Sequence, residues 1–151
     1  VIYGIGHDGR VQRSADGGHT WEASGQAPEK LIDIATSPVD VALLYTATET
    51  GLFISPDQGA TWTAVIEGVP VSTVDAGADG VVRAVDLGQG LITVGAGGET
   101  TQISGDLPDG YLLFLTTTSR GPLRLAALSA KGRLVVSDDG GITWTEVSID
   151  K

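Results

Sequence analysis

The sequence predicts an all-β chain of four stacked antiparallel units, and three observations carry that prediction. An octapeptide recurs as Ser14-Ala-Asp16-Gly-Gly18-His-Thr20-Trp21, Ser55-Pro-Asp57-Gln-Gly59-Ala-Thr61-Trp62 and Ser137-Asp-Asp139-Gly-Gly141-Ile-Thr143-Trp144. Its serines lie 41 and then 82 residues apart, so one copy falls in the gap; it survives as Val94-Gly-Ala96-Gly-Gly98-Glu-Thr100-Thr101, without the Ser, Asp and Trp. A glycine precedes each copy by four or five residues, at Gly9, Gly51, Gly90 and Gly132. The composition is that of a turn-rich β protein, with 22 Gly and with 13 Asp against 6 Glu. A period near forty in such a chain means β-units that bury their faces on one another.

Each unit reads as four strands, taken here from the octapeptide outward. The residues between each marker glycine and the octapeptide form one strand: Arg10–Arg13, Leu52–Ile54, Leu91–Val94 and Arg133–Val136. An apolar run before each glycine forms its hairpin partner: Val1–Gly6, Ala42–Thr48, Val81–Asp86 and Leu123–Leu128. The outer strand begins at the Trp. An innermost strand opens three of the units, at Leu31–Ala35, Val71–Asp75 and Leu113–Thr117, and the same offset for the first unit falls before Val1. The first unit is therefore expected to be one strand short, with boundaries at about 1–26, 27–67, 68–107 and 108–151. Leu43-Leu44-Tyr45 and Tyr111-Leu112-Leu113-Phe114-Leu115 are apolar on both faces, as expected of sheets packed between two others.

The octapeptide is the Asp-box, and the chain resembles the Asp-box (bacterial neuraminidase repeat) β-propellers. That group includes sialidases, xyloglucan-degrading propellers, sortilin-type receptors and photosystem II assembly-factor propellers. The resemblance implies four-stranded blades, part of a ring of six to eight, with further blades upstream of Val1 or self-association in their place. It also implies an extracellular or periplasmic setting, and an Asp-box on the face away from the usual active site.

Composition narrows the function. A net charge of −10 with nine scattered Lys and Arg argues against nucleic-acid or anionic-membrane partners. No apolar run approaches the roughly 20 residues of a membrane span. Cysteine is absent, which removes disulfides and thiolate metal sites. The chain also has no Met and begins at Val1 inside a strand, which suggests a cut or processed end.

Within the boxes, Ser14, Asp16, Gly18, Thr20 and Trp21, with their counterparts Ser55, Asp57, Gly59, Thr61, Trp62 and Ser137, Asp139, Gly141, Thr143, Trp144, read as structural. A short carboxylate in a turn accepts backbone N–H groups, the glycine supplies a conformation side chains resist, and the Trp packs over the hairpin. Calcium is the rival for Ser137-Asp138-Asp139-Gly140, but no bidentate Glu follows at the twelfth position. Gly4-Ile-Gly6-His-Asp-Gly9 matches a dinucleotide fingerprint in letters only, because Arg10–Arg13 continues as a strand and not a helix. No metal site or cofactor is expected.

Candidate ligand contacts lie at the opposite end, in the turns between second and third strands and in the loops entering each innermost strand. His7, Asp8, Glu49 and Lys131 stand out there, with Glu29, Lys30, Glu67, Asp106 and Asp109 beside them. A glycosidase needs two carboxylates about 5–10 Å apart across the sugar, for which Asp33 and Asp75 are the innermost-strand candidates, expected to line a watered channel. The resembling sialidases add three arginines and a Tyr/Glu pair; Arg10, Arg13, Arg83, Arg120, Arg124 and Arg133 form no such motif. The expected function is a non-enzymatic scaffold or binding module for a protein or glycan, with glycoside hydrolysis as the alternative.

Overall fold

A computed structural model describes residues 1–119 and 121–148; Arg120 and the end of the fourth unit lie outside the described residues. The first sheet holds β1 (Ile2–Ile5), β2 (Arg10–Ser14) and β3 (Glu22–Gln26). The second holds β4 (Leu31–Thr36), β5 (Leu44–Thr48), β6 (Gly51–Ser55) and β7 (Thr63–Glu67). The third holds β8 (Val71–Ala76), β9 (Val82–Asp86), β10 (Gly90–Val94) and β11 (Thr100–Ser104). The fourth holds β12 (Leu112–Thr117), β13 (Leu125–Ser129), β14 (Leu134–Ser137) and the short β15 (Thr145–Glu146), and a 3₁₀ turn at Pro108–Gly110 leads into it. Each sheet is an antiparallel meander, and the first lacks the innermost strand, as the spacing predicts.

The blades stack through three apolar layers. Val11, Ala27 and Leu44 fill the space between the first two blades. Leu43, Tyr45, Val82, Ala84, Ile92 and Val94 lie between the second and third, and Val85, Leu91, Leu112, Leu125 and Val135 between the third and fourth. Leu44 thus faces one neighbouring blade while Leu43 and Tyr45 face the other, which is why that segment is apolar on both sides. The innermost strands β4, β8 and β12 run side by side in that order.

The fourth blade departs from the expectation. Leu112 and Leu115 are buried, but Leu113 is 45% and Phe114 53% exposed. One face of this sheet has no blade against it within the described residues, so its apolar residues reach solvent.

The box glycine sets how closely blades approach. Gly59, Gly98 and Gly141 hold φ of +89°, +87° and +102°, a region that side chains resist. A Cβ at each would press on the blade before it: on Val11 from Gly59, on Val65 from Gly98 and on Leu91 from Gly141. The eroded copy has kept the one residue that the packing requires.

Candidate functional site

Each intact box is a closed hydrogen-bond ring. Asp57 accepts from the Ser55 hydroxyl at 2.8 Å, the Thr61 amide at 2.8 Å and the Thr61 hydroxyl at 2.6 Å, while the Gly59 amide donates to Ser55 Oγ at 2.8 Å. Asp16 and Asp139 repeat the pattern with Ser14 and Thr20, and with Ser137 and Thr143. The indole N–H groups of Trp21 and Trp144 donate to the carbonyls of Gly18 and Gly141 within their own boxes. Trp62 instead donates across the blade junction to the Gln26 carbonyl at 2.9 Å, so it fastens two blades rather than covering only its own hairpin. His19 is exposed and its Nδ1 lies 2.7 Å from the Asp16 carbonyl.

These bonds hold all three carboxylates below their ordinary value. The Thr61 hydroxyl and amide do most of it for Asp57, and the Thr143 hydroxyl and amide bring Asp139 to about 2. The Thr20 amide and hydroxyl likewise hold Asp16 well below the usual carboxylate range. A carboxylate whose folded pKa is depressed stabilises the fold above its unfolded value and loses that contribution as pH falls through the folded one. Denaturation midpoints followed between about pH 5 and pH 2 should therefore fall steeply, and Asp57→Ala should flatten part of that fall while lowering the midpoint at neutral pH. Ser substitution of Ala96, the eroded equivalent, should change neither.

The candidate ligand residues lie in the turns and loops at one end of the sheets. Gly4–Gly9 is a strand followed by a hairpin turn closed by the Gly9 amide on the Gly6 carbonyl, so the dinucleotide reading fails for want of a helix. Asp8 caps the Arg10 amide and pairs with its side chain at 3.2 Å. His7, Asp8, Glu29 and Lys30 line a groove of about 590 Å³ at the junction of the first two blades. In the second blade Lys30 pairs with Glu49 at 3.7 Å. In the fourth, Asp109 binds Arg133 at 2.6 Å and 2.8 Å, the Ser129 hydroxyl at 2.6 Å and Lys131 at 3.6 Å, and Arg133 continues to Glu146. Arg133, with Ser129, brings the Asp109 carboxyl to about 2. Lys30 and Asp109 both hold left-handed backbone conformations in loops that enter an innermost strand, each tied to the turn beside it.

Asp33 and Asp75 differ from the expected watered lining. Asp33 accepts from the Thr73 hydroxyl at 2.9 Å and the Val74 amide at 3.1 Å, both in the next blade. Asp75 accepts from Thr117 of the blade after that at 2.5 Å, and burial pushes its carboxyl up. Both side chains are inter-blade ties. Among the described residues the arginines pair separately: Arg83 with Asp79, Arg124 with Asp138 and Arg133 with Asp109. Among the described residues no cluster of His, Asp and Glu is placed to hold a metal ion, and no helix is long and apolar enough to cross a membrane. Sequence reasoning missed Thr73, Thr117, Ser129 and Arg133, whose roles depend on partners about one repeat or half a repeat away.

The sequence matches the BNR/Asp-box repeat family over residues 135–146, the box of the fourth blade. Solved structures with the same architecture include a GH74 xyloglucanase from Xanthomonas campestris, at a TM-score of 0.66 and 19% identity over 97% of this chain. The chain has the β-propeller fold, with an Asp-box repeat at residues 135–146. YCF48 from Cyanidioschyzon merolae matches this propeller with a TM-score of 0.58 and 23% identity over 77% of the chain. A structure of YCF48 bound to D1 peptide matches at 0.58 and 16% over 78%. The chain spans 23% of the xyloglucanase and 36% and 40% of the two YCF48 chains. At these identities the likeness is one of fold. A search of curated proteins finds no match to the sequence.

Proposed function

We propose that this propeller is a non-enzymatic binding module whose partner is a polypeptide held at the turn end. The observation that most supports this reading is the division of labour among the carboxylates. Asp33 and Asp75, the innermost-strand candidates for sugar chemistry, are occupied in tying blades together. The groove lined by His7, Asp8, Glu29 and Lys30 instead offers polar and charged side chains at a blade junction. A solved neighbour of this fold is bound to a peptide, and the net charge of −10 suits a basic segment.

Selection of displayed random peptides on the propeller should enrich Lys- and Arg-bearing sequences. Their binding should weaken with added salt and disappear in an Asp8→Lys, Glu29→Lys variant. Enrichment of glycans on an array, with no peptide selected, would replace this reading by the glycan-binding one.

The hydrolase alternative draws on the xyloglucanase, whose fold aligns with nearly all of this chain. On the binding reading, the propeller should release no product from xyloglucan oligosaccharides or fluorogenic sialosides. Turnover that vanishes in Asp33→Asn or Asp75→Asn would establish the hydrolase instead.

A further inference from the structure

A cleft lies beside the eroded box, where the repeat has lost its tryptophan. In the first blade the Trp21 ring lies 3.5 Å from the Cβ position of Gly4, and Gly4 pairs with Gln12, two residues before the box serine. The same register is Ala127, paired with Val135, in the fourth blade, where Trp144 packs against the cluster that contains both. In the third blade that register is Ala84, paired with Ile92, but Thr101 stands where the others have Trp. Ala84 and Ile92 are instead covered by the second blade, both 0% exposed in the core between the two. A cleft of about 460 Å³ opens next to that register, nearer the box, between the second and third blades, bounded by Leu43, Tyr45, Val82, Val94, Glu99 and Thr101.

Its lining has a chemical bias. Leu43, Val82 and Val94 give apolar walls, each less than a tenth exposed. Tyr45 is 2% exposed and lines the cleft, and among the described residues no hydrogen bond engages its hydroxyl, which leaves it open to a ligand. Glu99 folds back over the hairpin, its carboxylate filling the space that a Cβ at Gly95 would need, and it forms no ion pair among the described residues. Burial, and after it the charges of Glu99 and Asp40, push the Tyr45 phenol above its ordinary value. Glu99 thus sets a carboxylate beside the apolar walls of the cleft.

We propose that this cleft is a binding site for a planar aromatic group carrying a positive charge beside the ring. The ring lies against Val82 and Val94 beside Thr101, the position that tryptophan holds in the other boxes, its donor meets the Tyr45 hydroxyl, and the cation pairs with Glu99. Apolar pockets of this size with a few convergent polar groups are the usual form of a ligand site. The site lies at the box end, away from the groove of His7 and Asp8, so it stands or falls independently of the polypeptide reading above.

Two probes separate the sources of this chemistry: tryptamine, a free aromatic amine, and acetyl-Trp-Lys-amide, in which a polypeptide presents ring and cation on neighbouring side chains. The chain has three tyrosines, so NMR of tyrosine-labelled protein resolves Tyr45, assigned by Tyr45→Phe. Saturable shifts at Tyr45 with either probe support the site, and the tighter of the two identifies the source. Indole-3-acetate, with the opposite charge, should bind about tenfold or more weaker, and Glu99→Gln should remove that preference. Thr101→Trp, which restores the residue of the other boxes, should abolish binding while leaving the fold intact. No shift with either probe, equal binding of the anion, or undiminished binding to Thr101→Trp would overturn the proposal.

Discussion

Gly141→Ala should destabilise the chain by about 2–5 kcal/mol, with two separable causes. Gly141 holds φ of +102°, and an alanine there bears a backbone cost of about 1–2 kcal/mol. Its Cβ would also drive into Leu91 and come within 3.3 Å of Leu125. Both leucines are 0% exposed and belong to the layer between the third and fourth blades. They cannot swing into solvent, and overpacking of this kind costs about 1–3 kcal/mol. Gly140 supplies the control, since it has φ of +75° and nothing within 4 Å of its Cβ position. Gly140→Ala should therefore lose only about 1–2 kcal/mol from the backbone. Urea denaturation of the two variants measures the difference. Equal losses would mean that the box glycine serves its own turn and not the blade contact.

That contact marks the boundary of what the sequence discloses. The repeat was legible because turn chemistry is local: Ser, Asp, Gly and Thr within one octapeptide complete their hydrogen bonds among themselves, so their spacing shows in the letters. The strand positions, the missing innermost strand and the end of the molecule that carries His7, Asp8, Glu49 and Lys131 follow from the same period. What the letters could not show is the pairing of side chains about forty residues apart. Asp33 looks like an open carboxylate until Thr73 is placed beside it, and Asp75 until Thr117 is. Trp62 could not be told from Trp21 and Trp144, because its partner at Gln26 lies in another blade. The cleft beside Tyr45 had a visible trace in the substitution of Trp by Thr101, but a lost motif residue signals a cavity only once its neighbours are known.

The purified 151-residue chain should self-associate, and the fourth blade should be the cause. Leu134 stands three residues before its box serine and pairs with Leu128. The same positions in the third blade are Leu91 and Val85, both 0% exposed beneath the fourth blade. In the second blade they are Leu52 and Ala47, again both 0% exposed. Leu134 and Leu128 are 38% and 37% exposed, and Phe114, which pairs with Leu128, is 53% exposed. The repeat has thus built at this face the surface that its other copies bury against a following blade. A contiguous apolar patch of this kind favours association. The first blade adds an unpaired edge along β1, since its sheet ends there, and an open edge accepts another strand. Sedimentation velocity should show a concentration-dependent shift beyond the monomer of 15.5 kDa. Phe114→Lys with Leu128→Glu, both on the exposed face, should return the chain toward monomer without loss of β signal in circular dichroism. A cooperative monomer at every concentration would instead mean that the four blades close on themselves and cover this face without help.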